Sequence, residues 1–149
     1  MATDAAKMDA RTPGSFPVLV VDDCPSDQEL TCAYLAEAWP FDHDLELEHA
    51  SDGDEALAKL HGKRFALLVL DWKLPTMGDG EVLRHLRAEG VRLPVVVVSG
   101  MPREDIGADL ETLGAAFVNK NQLTPTTLYQ AIASSLHRLG YSPSLRPRV

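Results

Sequence analysis

Five polar side chains of the kinds that hold metal ions and phosphoryl groups come at or near the ends of apolar runs in the sequence. They are Asp22, Asp23, Asp71, Ser99 and Lys120. In an open sheet of parallel strands, ligands bind beyond the carboxyl ends of the strands. If the apolar runs are such strands, the five side chains should meet along one edge of the sheet.

Three carboxylates at one place repel each other unless a cation compensates their charge. Mg²⁺ suits them because it is a hard cation that prefers oxygen ligands. We expect Asp22 and Asp23 to hold the ion and Asp71 to act as a nucleophile, since a carboxylate can form an acyl phosphate. The Ser99 hydroxyl and the Lys120 ammonium would then hold the phosphoryl oxygens, because phosphoryl transfer depends on positioning and on compensation of charge.

The apolar runs themselves predict strands of a parallel sheet. Val18–Val21, Ala66–Leu70 and Val95–Val98 do not alternate polar with apolar residues, which is typical of strands buried on both faces. Two weaker strands are predicted at Leu45–Ala50 and Ala116–Val118. Since longer amphipathic segments separate the strands, the sequence favours an α/β fold with an open, doubly wound sheet and helices on both faces.

Capping signals predict where three of the five helices begin. Ser26 with a Glu three residues later matches a capping box, and Asp52 with Glu55 matches another. Thr124 followed by Pro125 is a favourable N-cap and first-turn pair. We therefore expect helices to begin at these three places.

The other two helices are predicted at about Gly80–Glu89 and Arg103–Leu113. A glycine that follows a helical pattern stops the helix, because it adopts the left-handed conformation without strain; Gly90 and Gly114 are placed in this way. Gly107 lies inside the Arg103–Leu113 segment and costs about 1 kcal/mol relative to alanine. We expect that helix to be the loosest of the five.

Length and composition limit the classes of protein that fit. The chain has 149 residues, the size of one domain. Its formal net charge of −8 argues against direct binding of nucleic acid, which usually needs a basic surface. Cys24 and Cys32 do not have the spacing of a disulfide scaffold or of a structural zinc site.

The first 15 residues do not have the pattern of a signal peptide, because they lack an apolar leader segment. The longest apolar runs have about five residues, whereas a membrane helix needs about 20. We expect a cytoplasmic protein without membrane contact, with one domain at residues 16–140 between flexible extensions at 1–15 and 141–149.

Four segments of the sequence resemble the signature of response-regulator receiver domains: VLVVDD, LLVLDWKLP, VVVVSG and GAAFVNK. The resemblance covers about residues 17–139. It implies a flavodoxin-like fold, a five-stranded parallel sheet of order 2-1-3-4-5 with five helices. It also implies that the protein is a Mg²⁺-dependent phosphoacceptor that signals to a further protein. The phosphoryl group would come from a phosphohistidine on a sensor histidine kinase or on a histidine phosphotransfer protein.

The resemblance assigns the acceptor and the metal ligands residue by residue. Asp71 matches the phosphoacceptor, which also contacts the metal. Asp22 and Asp23 match the acidic pair that binds Mg²⁺, and the backbone carbonyl of Lys73 matches the remaining protein ligand. The side chain of Lys73 is expected at the entrance of the site.

The resemblance also assigns the residues that respond to the phosphoryl group. Ser99 matches the switch hydroxyl, Lys120 the phosphoryl-binding lysine and Phe117 the aromatic side chain that rotates on activation. Met101, two residues beyond Ser99, is a second expected entrance residue.

The chain departs from the family pattern at two places. Lys120 is followed by Asn121, whereas the family has a proline there. A cis peptide bond before a residue other than proline costs about 3–4 kcal/mol, so we expect a trans bond. The loop WKLPTMGDG after Asp71 is one residue longer before its glycine than the common pattern, which affects the geometry of Gly78–Gly80.

Three functions remain open at this stage. The leading hypothesis is a stand-alone phosphoacceptor switch whose output surface consists of the fourth helix, fifth strand and fifth helix. A receiver fold that binds partners independently of phosphorylation is one alternative. A Mg²⁺-dependent aspartyl phosphohydrolase is less favoured, because its general acid would occupy the position of Lys73. Dinucleotide binding is disfavoured because the first strand–helix turn, DDCPSD, has no glycine.

Overall fold

Five parallel strands form the central sheet of the protein. The computed structural model describes residues 14–37, 39–75, 77, 80–106 and 110–140. The strands are β1 (Ser15–Val21), β2 (Asp44–Ala50), β3 (Leu67–Asp71), β4 (Val95–Ser99) and β5 (Ala115–Asn119). Their order in the sheet is β2-β1-β3-β4-β5, and every neighbouring pair is parallel. The predicted flavodoxin-like order is confirmed.

Five α-helices connect the strands within the described residues. They are α1 (Pro25–Glu37), α2 (Gly53–Gly62), α3 (Glu81–Ala88), α4 (Arg103–Ile106) and α5 (Pro125–Arg138), with a short 3₁₀ helix at Lys120–Gln122. None of these helices is long and apolar enough to cross a membrane. The extensions expected at the two ends fall largely on residues 1–13 and 141–149, which lie outside the described residues.

Two of the three predicted helix starts are confirmed. The carboxylate of Asp52 accepts the N–H of Glu55 at 2.8 Å, and the Thr124 hydroxyl accepts the N–H of Thr127 at 3.0 Å. The prediction for α1 is wrong, because this helix begins at Pro25 and not after Ser26. Proline at the first helical position has a φ angle already suited to a helix, so the helix starts two residues earlier than the capping pattern indicates.

The prediction of a helix through Leu113 is also wrong. The described part of this segment is helical only at Arg103–Ile106, and a turn occupies residues 110–114. The stop signal is nevertheless present, since Gly114 has a φ of +71° and its N–H donates to Glu111. The N–H of Ala115 donates to the carbonyl of Leu110, so a Schellman motif closes the turn. Gly107 lies outside the described residues.

Each face of the sheet is covered by a separate apolar cluster. Successive side chains of a strand point to opposite faces, and β1 accordingly places Leu19 and Val21 in one cluster and Val18 and Val20 in the other. The helices α2 and α3 contribute to the first cluster and α5 to the second. The unbroken apolar runs therefore form strands that are buried on both faces, as predicted.

The loop after β3 is held by a close contact between Trp72 and Gly80. Trp72 is almost fully buried, and Gly80 caps the N-terminus of α3 with a φ of +82°. A Cβ atom at Gly80 would lie 2.1 Å from Cη2 of Trp72. Position 80 therefore needs glycine both for its backbone conformation and for the space that the indole fills.

Replacement of Gly80 by alanine should lower the free energy of unfolding by about 2–4 kcal/mol, because it adds a clash to the left-handed strain. Urea denaturation measures this change. Gly90→Ala is the matched control, since Gly90 has a φ of +79° and no atom within 4 Å of the added Cβ. Equal losses in the two variants would contradict a role for the Trp72 contact.

Candidate functional site

The carboxyl ends of the strands bring three acidic side chains together. Asp22 follows β1, Asp23 is the next residue, and Asp71 is the last residue of β3. Their carboxylate oxygens lie within 4.8 Å of one another. Asp22 and Asp71 are buried, whereas Asp23 is exposed. The arrangement is an acidic cup that opens to solvent on the side of Asp23.

The ammonium of Lys120 closes this cup from the end of β5. Its Nζ atom lies 2.9 Å from Oδ2 of Asp27, 3.1 Å from Oδ2 of Asp22 and 3.4 Å from Oδ2 of Asp71. An ammonium has three N–H donors, so one donor is available for each carboxylate. Lys120 thus connects the first, third and fifth strands of the sheet with the first turn of α1.

Hydrogen bonds fix the backbone that presents Asp22. Its Oδ1 accepts the N–H of Cys24 at 2.9 Å, and its own N–H donates to the carbonyl of Ala50 at 3.1 Å. The amide of Gln28 donates to the carbonyls of both Asp22 and Ala50, at 3.1 and 2.9 Å. The ends of β1 and β2 are therefore joined by a side chain of α1.

Burial and repulsion make Asp71 hard to ionise. Desolvation in the first place, and then the neighbouring charge of Asp22, raise the pKa of Asp71 from 3.8 to about 6. The charge of Lys120 and the N–H of Lys73, which donates to Oδ1 of Asp71 at 3.3 Å, act in the opposite direction. The carboxylate is therefore under-compensated and would gain from an added cation.

Lys120 stays protonated in this setting. Burial by itself would lower its pKa, but the hydrogen bond to Asp27 and the charges of Asp71 and Asp22 outweigh burial and raise the pKa above its usual range. The site therefore contains a permanent positive charge that can be shared among different anionic partners.

Ser99 lies at the carboxyl end of β4 and is buried. Its hydroxyl oxygen accepts the N–H of Met101 at 3.1 Å, and the carbonyl of Met101 accepts the side-chain amide of Asn119 at 3.0 Å. The loop after β4 is consequently tied to the end of β5, next to Lys120.

The residue after Lys120 shows why proline is not needed there. The N–H of Asn121 donates to the side-chain oxygen of Asn119 at 2.8 Å and so caps the 3₁₀ helix. Proline has no N–H and could not make this bond. The expected trans peptide is confirmed, since the described residues contain no cis bond.

The remaining predicted site residues lie around this centre. Phe117 is half-buried on β5 and packs against the apolar cluster that includes α3. Lys73 is exposed and Met101 is half-buried. The geometry brings the acids and Lys120 into contact, while the roles of Lys73, Met101, Ser99 and Phe117 stay predictions.

Sequence reasoning missed three side chains that build the site: Asp27, Gln28 and Asn119. All three lie one or a few residues from a predicted site residue, on elements that begin or end at the sheet edge. A first-turn acid in a helix that starts at the site was a usable signal for Asp27. The hydrogen bonds of Gln28 to two strand ends depend on the packing of α1, so no local sequence pattern predicts them.

A match to a family model identifies the family of the chain. Residues 18–133 match the model of the response regulator receiver domain. The chain belongs to this family. Receiver domains of this family are phosphoacceptor switches, they bind Mg²⁺ at an acidic pocket, and they interact with histidine kinases or phosphotransfer proteins.

Individual relatives agree with the family match. The probable transcriptional regulatory protein TcrX of Mycobacterium tuberculosis is 36% identical over 105 residues, which are 69% of this chain and 42% of TcrX. The chain spans less than half the length of the curated relatives that it matches.

Two solved structures show the same fold. The chemotaxis protein CheY4 of Vibrio cholerae has a TM-score of 0.69 and 26% identity, covering 82% of this chain and 99% of that chain. The response regulator protein TrrA of Thermotoga maritima, in complex with Mg²⁺ and BeF, has a TM-score of 0.68 and 25% identity, covering 81% and 99%.

The electrostatics of the receiver domain predict the effect of Asp71→Asn in the absence of divalent cations. Because the pKa of Asp71 is higher in the folded protein than the ordinary value of 3.8, the folded state binds more protons between about pH 4 and 6. The contribution of this group to the free energy of unfolding therefore decreases as the pH rises through that window.

At pH 7 in EDTA, Asp71→Asn should consequently be more stable than the wild type, by about 1–3 kcal/mol. The difference should shrink as the pH approaches 4. Urea denaturation at several pH values measures it, and Asp54→Asn, an exposed acid on α2, is the control. A variant that is less stable than the wild type at pH 7 would contradict the assigned repulsion.

Proposed function

We propose that the protein takes a phosphoryl group from a phosphohistidine donor onto Asp71, with Mg²⁺, and transmits the signal through protein contacts. The observation that carries the proposal is the contact of Lys120 with Asp71 at 3.4 Å and with Asp22 at 3.1 Å. It brings a nucleophilic carboxylate, a second acid and a fixed ammonium to one point at the carboxyl edge of the sheet.

The donor set fits Mg²⁺. Asp22, Asp23 and Asp71 offer carboxylate oxygens within 4.8 Å of one another, and hard oxygen ligands are those that Mg²⁺ prefers. With Asp27 included, the site holds four carboxylates, three of which contact the ammonium of Lys120, so negative charge is in excess. By the resemblance, the carbonyl of Lys73 completes the protein ligands.

The bound ion would supply compensation of charge on the phosphoryl oxygens. The chain's own residues would do the rest. Asp71 presents one carboxylate oxygen to phosphorus, and the phosphohistidine nitrogen leaves as the new acyl phosphate bond forms. Lys120 donates to a phosphoryl oxygen, and the hydroxyl of Ser99 turns from the N–H of Met101 toward the same group.

A partner protein would recognise the phosphorylated form at the face formed by α4, β5 and α5. An open groove of about 550 Å³ lies on this face, with Arg103, Glu111, Phe117, Asn119, Gln122 and Arg138 among its lining residues. Phe117 belongs both to this groove and to the cluster behind the site. A shift of Ser99 that moves Phe117 would thus change the groove, biasing a two-state surface.

The identity of the acceptor is tested with Mg²⁺ and acetyl phosphate, followed by mass mapping of the adduct. One phosphoryl group is expected on Asp71 of the wild type and of Asp54→Asn. None is expected in Asp71→Asn or after removal of Mg²⁺ with EDTA. An adduct that persists in Asp71→Asn would contradict the proposal.

The same preparations separate the alternative functions. Steady turnover of small phosphate esters would indicate a phosphohydrolase. Partner binding that is identical for the wild type and Asp71→Asn would indicate a binding module that does not depend on phosphorylation.

Binding of Mg²⁺ should raise the melting temperature of the wild type, because an ion that binds only the folded state stabilises it by RT ln(1 + [Mg²⁺]/Kd). At an ion concentration tenfold above Kd this is about 1.4 kcal/mol. Thermal denaturation with Mg²⁺ and with EDTA measures the shift. Asp22→Asn should lose most of it and Asp54→Asn should keep it; an undiminished shift in Asp22→Asn would place the ion elsewhere.

A further inference from the structure

Asp27 is the partner of Lys120 that the proposed function does not use. Its Oδ2 lies 2.9 Å from the ammonium, closer than the oxygens of Asp22 and Asp71. Its side chain is 45% exposed, whereas those of Asp22 and Asp71 are 5% and 7% exposed. Asp27 is also absent from the cluster of acids that could share a metal ion.

The three partners of Lys120 are therefore of two kinds. Asp22 and Asp71 are candidate metal ligands, so a cation in the cup would repel the ammonium from them. Asp27 lies on the first turn of α1 and can keep the ammonium when the other two carboxylates turn to the metal. A phosphoryl oxygen on Asp71 needs a donor of the same ammonium. Hydrogen bonds to Asp27 and Asp71 already use two of its three donors, and Asp22 lies 3.1 Å away.

We propose that Asp27 is a positioning residue that draws Lys120 away from the metal-binding carboxylates and competes with the phosphoryl group for it. This inference rests on the proposed function and concerns how the same site is regulated. Asp27 acts through Lys120 and sets the balance between the metal-loaded, unmodified state and the phosphorylated state.

Two consequences of opposite sign follow. Without the Asp27 carboxylate, the carboxylate partners of Lys120 among the described residues are Asp22 and Asp71. Lys120 then competes with Mg²⁺ for them, so the affinity for Mg²⁺ decreases. The phosphoryl group, in contrast, loses a competitor for Lys120 and a nearby negative charge. The affinity for a phosphoryl mimic at saturating Mg²⁺ therefore increases.

The test compares Asp27→Asn with the wild type in two titrations, first with Mg²⁺ alone and then with beryllofluoride at saturating Mg²⁺. Tryptophan fluorescence reports binding, since Trp72 is the residue after Asp71. A two- to fivefold change in a dissociation constant corresponds to about 0.4–1 kcal/mol, which is within the range for a half-exposed ion pair. The dissociation constant for Mg²⁺ should thus rise, and that for beryllofluoride fall, each by about two- to fivefold. Glu29→Gln removes a charge from the exposed side of the same helix and should change neither.

The outcomes separate the possible errors. A purely structural role of Asp27 would weaken both affinities together, and unchanged affinities would mean that the contact has no role; either result overturns the inference. If the wild type itself binds neither Mg²⁺ nor beryllofluoride, the proposed function fails as well.

A double-mutant cycle shows whether Asp27 acts through Lys120. In a Lys120→Gln background the ammonium is absent, so Asp27→Asn should leave the Mg²⁺ dissociation constant within twofold. If Asp27→Asn raises the Mg²⁺ dissociation constant in that background as much as it does in the wild type, Asp27 does not act through Lys120 and the inference is overturned.

Discussion

A single ammonium facing several carboxylates is the interaction around which the receiver site is organised. Lys120 lies within 3.4 Å of three carboxylates that come from β1, β3 and α1. Two of these carboxylates are buried, where an uncompensated charge is costly. The attraction stabilises the site only in part, because the pKa of Asp71 remains raised to about 6. The negative charge that remains unbalanced is what a divalent cation would compensate.

Such a site needs a rigid edge, because small displacements change the balance of charges. The sheet supplies most of this rigidity, and side-chain hydrogen bonds supply the rest. Gln28 joins the ends of β1 and β2, and Asn119 joins the loop after β4 to the turn that carries Lys120. The contact of Trp72 with Gly80 fixes the start of α3. Each loop around the acids is thus tied to a neighbour.

The same connections offer a route from the site to the surface. Ser99 at the end of β4 accepts the N–H of Met101, whose carbonyl is held by Asn119 of β5. Phe117, two residues before Asn119, lines the groove beside α5. Ser99 and Phe117 thus lie on two adjacent strands, one ending at the site and the other lining the groove.

The sequence by itself determined the elements with strong local signals. Short unbroken apolar runs favour strands buried on both faces, and side chains at the carboxyl ends of such strands, as at Asp71, then lie at the sheet edge. The caps at Asp52 and Thr124 depend on bonds within three residues. The strand order followed from the family resemblance. The structure also corrected two local expectations, the start of α1 at Pro25 and the turn at residues 110–114. Only the tertiary structure decided the pairing of Asp27 with Lys120, because this pairing depends on how separate elements pack. An ion pair between residues 93 positions apart has no local signal in the sequence.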